Sequence, residues 1–245
     1  MTDNRDVDPD LARLRVLGDT YLFEVYESCL TRMIELSDNN SVERLDILEL
    51  GSAGGITKDL FPSIVTSDVR AAYGVDVLIS GDALPYPDNS LDLILAKDTL
   101  HHISDPETHF REVSRVLRSG GRAVYLEPNW NRISRLVFTW FHPEPFDPKA
   151  QRWGFESSNP MNSNQALAHN IFVRDRSRYD SLFPNLKAQV LESDNGLAFL
   201  LSGGVHTRTP IPASWLSRVR RWESRHPMII DSFGVNRFIL LEKLR

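Results

Sequence analysis

The sequence predicts an α/β fold in which helices cover both faces of a mostly parallel sheet. Three stretches carry that expectation. Leu45 to Thr57, LDILELGSAGGIT, passes from a short apolar strand through an acid into a glycine-rich turn and the first residues of a helix. Leu91 to Ala96 is apolar apart from Asp92, as a strand must be when both its faces are buried. Asp105-Pro106-Glu107 has the capping acid, the N1 proline and the first-turn acid of a helix start. Phe110, Val113 and Val116-Leu117 follow at helical spacing, and Gly120-Gly121 is expected to end that helix before a strand, RAVYLEP.

The first stretch also carries chemistry. Gly51, Gly54 and Gly55 remove the Cβ atoms that keep a ligand away from backbone, and Glu49 ends the strand with a carboxylate able to accept hydrogen bonds. A dinucleotide fingerprint, G-x-G-x-x-G counted from Gly51, fails at Ala53 and Ile56, which disfavours NAD or FAD. The alternative pattern, acid-x-G-x-G-x-G, fits at Glu49, Gly51 and Gly55 and departs at Ala53. The structural alternative is a tight connection with no ligand. Ser63 to Val69 reads as a second strand ending in Asp68, at about the distance from the glycines at which an acid binds ribose hydroxyls; otherwise it is a turn carboxylate.

With GDALPYPDNSLDLILAKDTLHHI (Gly81 to Ile103) and HFREVSRVLRSGGRAVYLEP following in order, the chain from Leu45 to Pro128 resembles the class I, S-adenosylmethionine-dependent methyltransferases, in particular the type 11 small-molecule group. The resemblance implies a Rossmann-like, doubly wound sheet of seven strands, mostly parallel, with an antiparallel strand at its end. It implies S-adenosylmethionine as cofactor, in contact with Glu49, Gly51, Ser52, Gly54, Gly55 and Asp68. Asp82 and Ala83 are expected beside the adenine and Asp98 beside the amino-acid portion. His101 and His102, at the carboxyl edge of the fourth strand, are the candidate general bases for a hydroxyl acceptor; neighbours on a strand end point apart, so at most one is expected to face the pocket. Glu127 and His169 are within reach from adjoining elements. A metal site is not expected, because the two histidines are adjacent and no carboxylate stands at ligand spacing.

The chain divides into an N-terminal helical segment (1–43), a cofactor-binding core (44–128), an insertion (129–175) and a C-terminal part completing the sheet (176–245). The gap from Asp68 to Asp82 is short for a helix and a strand, so the second crossover is expected to be a turn at Arg70 to Tyr73. The insertion is rich in rings, with Trp130, Trp140, Phe141, Phe146, Trp153 and Phe155 among Pro143, Pro145, Pro148 and Pro160. It reads either as a lid over an acceptor or as a satellite core. In the tail, FPNLKAQVLES and Phe233 to Glu242 are candidates for late strands and Pro212 to Arg225 for a helix.

Of 245 residues, 41% are hydrophobic and 25% charged, ordinary for a soluble globular chain with one substantial core. A net charge of −5 argues against broad nucleic-acid binding; the arginines at 174, 176 and 178, and at 218, 220, 221 and 225, read as solvated faces balanced by acids. The single cysteine, Cys29, lies on an amphipathic stretch and is expected to pack, in a reducing compartment. No leader or membrane span is read, so cytoplasm is the expected location. The oligomeric state is left open. The leading function is methyl transfer to a small molecule or biosynthetic intermediate, a sugar or lipid-linked one included. A noncatalytic partner protein on the same fold and an NAD-dependent oxidoreductase are the alternatives.

Overall fold

The computed structural model describes residues 8–37, 42–140, 142, 144–155, 162–205 and 209–245. Phe141, Pro143 and Pro160, all named above, lie outside them. Seven strands form one sheet: β1 (Ile47–Leu50), β2 (Val65–Asp68), β3 (Val77–Leu78), β4 (Leu91–Lys97), β5 (Leu117–Pro128), β6 (Leu186–Asp194) and β7 (Asn236–Lys243). Their order across the sheet is β3-β2-β1-β4-β5-β7-β6, with β7 antiparallel to both neighbours and β1 to β5 parallel. This is the doubly wound, mostly parallel sheet the sequence predicts. β1 lies between β2 and β4, so the winding reverses there and the carboxyl ends of these strands border a crevice.

Alternation along β4 explains its apolar run. Leu93 and Leu95 face a core built with α1 (Pro9–Leu17), α2 (Thr20–Glu35) and α3 (Ile56–Leu60), whereas Ile94 and Ala96 face the opposite core. That second core is closed by α4 (Pro106–Val116), whose Phe110, Val113 and Val116 are fully buried at helical spacing. The insertion holds α5 (Arg132–Trp140) and α6 (Leu167–His169), the latter running into a π-helical turn over Asn170–Arg174. After it come α7 (Arg176–Leu182), α8 (Leu197–Ser202), α9 (Ala213–Glu223) and α10 (Pro227–Phe233).

Two local expectations are corrected. Gly120-Gly121 does not end α4: the helix stops at Val116, and β5 begins at once with Leu117 extended. The register slips between Leu91↔Leu117 and Leu93↔Arg122, so the glycines occupy a bulge. Gly120 sits there at φ +79°, and a Cβ on Gly121 would lie 2.9 Å from the Arg118 carbonyl oxygen. In the tail, Phe233 closes α10 and the last strand starts only at Asn236. Between β2 and β3 the chain makes only bends and a turn.

Cys29 is fully buried on α2, its thiol 3.1 Å from an Asp194 carboxylate oxygen, and burial pushes its pKa up, which makes it unreactive. The arginines of the first basic cluster are each paired, Arg174 with Asp175, Arg176 with Asp180 and Arg178 with Glu107. Among the described residues no helix is long and apolar enough to cross a membrane. The rings of the insertion pack in two places. Trp153 and Phe172 are buried in the main core against α4 and α7, whereas Trp130 stacks on Phe146 and His169 at 4.9 and 4.3 Å.

Candidate functional site

The glycine turn after β1 holds Gly51, Gly54 and Gly55 at φ +68°, +66° and +65°. Protein rather than open crevice lies where their Cβ atoms would go. A Cβ on Gly51 would stand 2.2 Å from the Thr99 hydroxyl, one on Gly54 2.6 Å from the Pro9 carbonyl oxygen, and one on Gly55 2.5 Å from that of Tyr73. The bare turn therefore admits the Thr99 side chain just past β4, α1 and the 73–74 turn. Gly51→Ala is expected to destabilise the fold by at least about 2 kcal/mol, the left-handed conformation alone costing about 1–2 kcal/mol. Adding Thr99→Ala should restore part of the loss in urea unfolding, because the closest overlaps are with Thr99 side-chain atoms. A single variant within about 0.5 kcal/mol of the parent would count against this packing.

Helix α1 lies across the same turn. Arg13 donates to the Gly54 carbonyl oxygen at 3.0 Å, pairs with Asp59 and sits 4.1 Å above the Tyr73 ring, while the Tyr73 amide donates to Asp10. Ser52 is committed to β2: its amide and hydroxyl both donate to the Ser67 carbonyl oxygen. Asp68, also buried, accepts from the amides of Ala53 and Arg70.

Glu49 is the unusual member of this group. It is 4% exposed, one carboxylate oxygen accepts from the Thr57 hydroxyl at 2.6 Å, and the other, Oε2, is buried with no partner. Burial pushes its pKa up to about 7, against the pull of the Thr57 hydrogen bond and of Lys97. An unmatched buried carboxylate oxygen is costly, and it is the natural anchor for a cationic donor.

Asp82 takes the Ser80 hydroxyl and the Ala83 amide donates to the Ser80 carbonyl oxygen, which closes a tight turn after β3. Behind that turn stands His109, which sequence reasoning missed. Its Nδ1 bonds the Gly81 carbonyl oxygen at 2.7 Å and its Nε2 the Tyr125 hydroxyl at 2.8 Å, so it is a neutral Nδ1–H tautomer. Burial holds its pKa down to about 4. Asp98, its side chain 40% exposed, has partners as well. It pairs with the Lys97 ammonium and accepts from Asn236 at φ +50°, and Lys97 keeps its pKa low.

His101 and His102 lie on a 3₁₀ turn, Leu100–His102, and not on a strand end. The tighter winding corrects the expectation that they diverge: their rings are 4.4 Å apart, and both Nε2 atoms approach the same Glu144 oxygen, at 3.6 and 3.7 Å. Glu127 has no solvent exposure and organises the turn. Its Oε1 accepts from the amides of Thr99 and Leu100, and its Oε2 lies 2.7 Å from His101 Nδ1. Burial alone would lower the His101 pKa, but Glu127 and then Glu144 carry it up to about 9. Burial and the neighbouring His101 charge hold His102 down to about 4. Gln165 sets its amide nitrogen 3.0 Å from His101 Nε2 and 2.5 Å from Glu144 Oε2, while Ser163 donates to the same Glu144 oxygen. The nitrogen contact suits His101 only while Nε2 is unprotonated; in the imidazolium the amide must turn over and offer Oε1.

Glu144, Ser163 and Gln165 come from the insertion, and no local sequence pattern connects them with His101. The other residue expected to reach in, His169, instead stacks on Trp130 at the wall of a cavity of about 180 Å³, next to Asn129, Phe172 and Arg237.

A family described as "Methyltransferase domain" matches residues 51–125. Over 71 residues the chain is 39% identical to the ubiquinone/menaquinone biosynthesis C-methyltransferase UbiE of Stenotrophomonas maltophilia (strain R551-3), a stretch of 29% of this chain and 26% of that protein. It is 42% identical over 60 residues to a sarcosine/dimethylglycine N-methyltransferase of Halorhodospira halochloris, 22% of each chain. The chain thus spans about a quarter of the length of the curated relatives it matches. In fold it superposes on the crystal structure of the CurJ carbon methyltransferase with a TM-score of 0.50 at 12% identity, over 95% of this chain and 58% of the other. Over residues 51–125 the chain is thus similar to methyltransferases, and its sheet shares the fold of a solved carbon methyltransferase.

Proposed function

We propose that the protein binds S-adenosylmethionine at the carboxyl ends of β1, β2 and β4 and transfers its methyl group to a small-molecule acceptor. The observation that carries this reading is the unpartnered, buried Glu49 Oε2 beside a glycine turn. A cofactor with an ammonium group would satisfy that oxygen, so the residues present fit the ligand. Asp68, at the end of β2, would take the ribose hydroxyls by exchanging its bonds to the Ala53 and Arg70 amides, and Asp82 with Ala83 would border the adenine. Glu49, with its unpartnered oxygen, would anchor the ammonium of the amino-acid portion, with the 40% exposed Asp98, held by Lys97 and Asn236, beside it.

When bound, the cofactor supplies a methyl group on a sulfonium, whose displacement needs alignment and exclusion of water more than acid–base assistance. The chain's own contribution is then the position of the acceptor. The cavity beside Trp130 and His169 suits a ring-bearing or apolar acceptor, and Arg237, whose Nε is buried without a partner, adds preference for a polar or anionic group. The names of the relatives, a C-methyltransferase and an N-methyltransferase, put carbon and nitrogen acceptors on related chains. As they stand, neither imidazole is a strong base: His101 is 2% exposed and bound to Glu127, and His102 is held near 4. The buried thiol Cys29 suits a reducing compartment such as the cytoplasm.

Calorimetric titration tests the assignment. S-adenosylmethionine and its demethylated product are expected to bind and NAD not to bind, with Glu49→Gln weakening binding by about 10- to 100-fold, as loss of a hydrogen bond to a charged group predicts. Heat with NAD alone would overturn the reading. Label transfer from methyl-labelled cofactor into a metabolite extract separates an enzyme from a noncatalytic relative, which would bind and transfer nothing.

A further inference from the structure

His101, His102 and Glu144 converge although they come from two separate parts of the chain, and we propose that they bind a divalent transition-metal ion of the Zn²⁺ class. One ligand atom from each lies within 4.8 Å of the other two, and Glu144 Oε2 is 3.6 and 3.7 Å from the two Nε2 atoms. Ligands about 2.0–2.2 Å from a tetrahedral ion stand roughly 3.4 Å apart, so the two histidine–Glu144 pairs need shifts of a few tenths of an ångström, and the imidazoles, within 4.8 Å of each other, must close by at most about 1.4 Å. Two imidazoles and one carboxylate are the donors of open zinc sites, and three protein ligands leave a coordination position for water or an acceptor hydroxyl.

Three further features point to a ligand. His101 Nδ1 is held by fully buried Glu127, the carboxylate–histidine arrangement that fixes a ring with Nε2 directed at an ion. His102 Nδ1 is buried with no hydrogen-bond partner, so no bond from that nitrogen opposes a small shift of the ring towards an ion. Gln165 bridges His101 Nε2 and Glu144 Oε2 with its amide nitrogen; turned over, the same amide presents a carbonyl oxygen at that place, a fourth ligand in reach. Solvent reaches the group through His102, whose side chain is 22% exposed.

The test is independent of methyl transfer. Full-length protein freed of metal by chelator is titrated with Co²⁺, followed by the visible absorption of a low-symmetry four-coordinate site, and then with Zn²⁺ as competitor. One tight equivalent is expected, displaced by Zn²⁺. His102→Ala and the isosteric Glu144→Gln should each weaken it at least about tenfold, Glu127→Gln by about 10- to 100-fold through His101, and His226→Ala, on the exposed surface, not at all. Circular dichroism confirms that each variant is folded. Absence of the Co²⁺ spectrum, or a spectrum of parental strength in both His102→Ala and Glu144→Gln, overturns the proposal. Titration of the same samples with S-adenosylmethionine separates its failure from failure of the methyltransferase reading.

Discussion

Glu127→Ala is expected to destabilise the protein by about 3–5 kcal/mol, the loss that follows when one partner of a buried ion pair is removed. The side chain is wholly buried and accepts from two amides and from His101, so alanine leaves three donors unmatched inside the protein. For a chain of this size such a loss corresponds to a fall in Tm on the order of 10 °C. The pH dependence identifies the cause. His101 has its pKa raised from the ordinary value of 6.5 to about 9, so its contribution is complete below about pH 6.5 and is lost as pH rises through about 9. Denaturant midpoints should therefore fall across that window in the parent protein, and fall much less in Glu127→Ala. A variant within about 1 kcal/mol of the parent, or one that keeps the parental slope, would remove Glu127 from this role.

Cofactor binding is expected to release a proton at about pH 6, and the release should fade towards about pH 7.5. The reason is the burial of Glu49, which lifts its pKa from 4.5 to about 7 and leaves the carboxyl mostly neutral at mildly acidic pH. In the free protein the sign is that of a raised carboxyl: the contribution to stability is present below about pH 4.5 and is lost as pH rises through about 7. An ammonium in contact with Oε2 favours the ionised form, so binding at low pH must expel the proton, and affinity should climb by up to about tenfold per unit below the pKa. Calorimetry at each pH in two buffers of different protonation enthalpy counts the protons. Glu49→Gln should lose both the release and the pH dependence. Proton-neutral binding at about pH 6 by the parent protein would show that Glu49 is not the anchor.

Much of this architecture was legible locally. Strand β4 shows its two buried faces as an unbroken apolar run, α4 shows its start in Asp105-Pro106-Glu107, and the acid followed by glycines marks the turn after β1. Each signal lies within one element and its cap, where periodicity and turn chemistry act through nearest neighbours. Even the shortened β2–β3 crossover could be read from spacing, because chain length limits what can be built between two strands.

The sequence by itself determined the kind of sheet, the place of its crevice and the carboxylate at the crevice floor. Tertiary structure alone decided what those residues touch. It gave the space beside the glycines to Thr99, Pro9 and Tyr73, matched Asp98 with Lys97 and Asn236, and brought Glu144 and Gln165 from the insertion to His101. The physical reason is range. Propensity and capping depend on residues a few positions apart, whereas the partner of a buried polar group is whichever side chain packing delivers, and packing is settled only when all the layers close together.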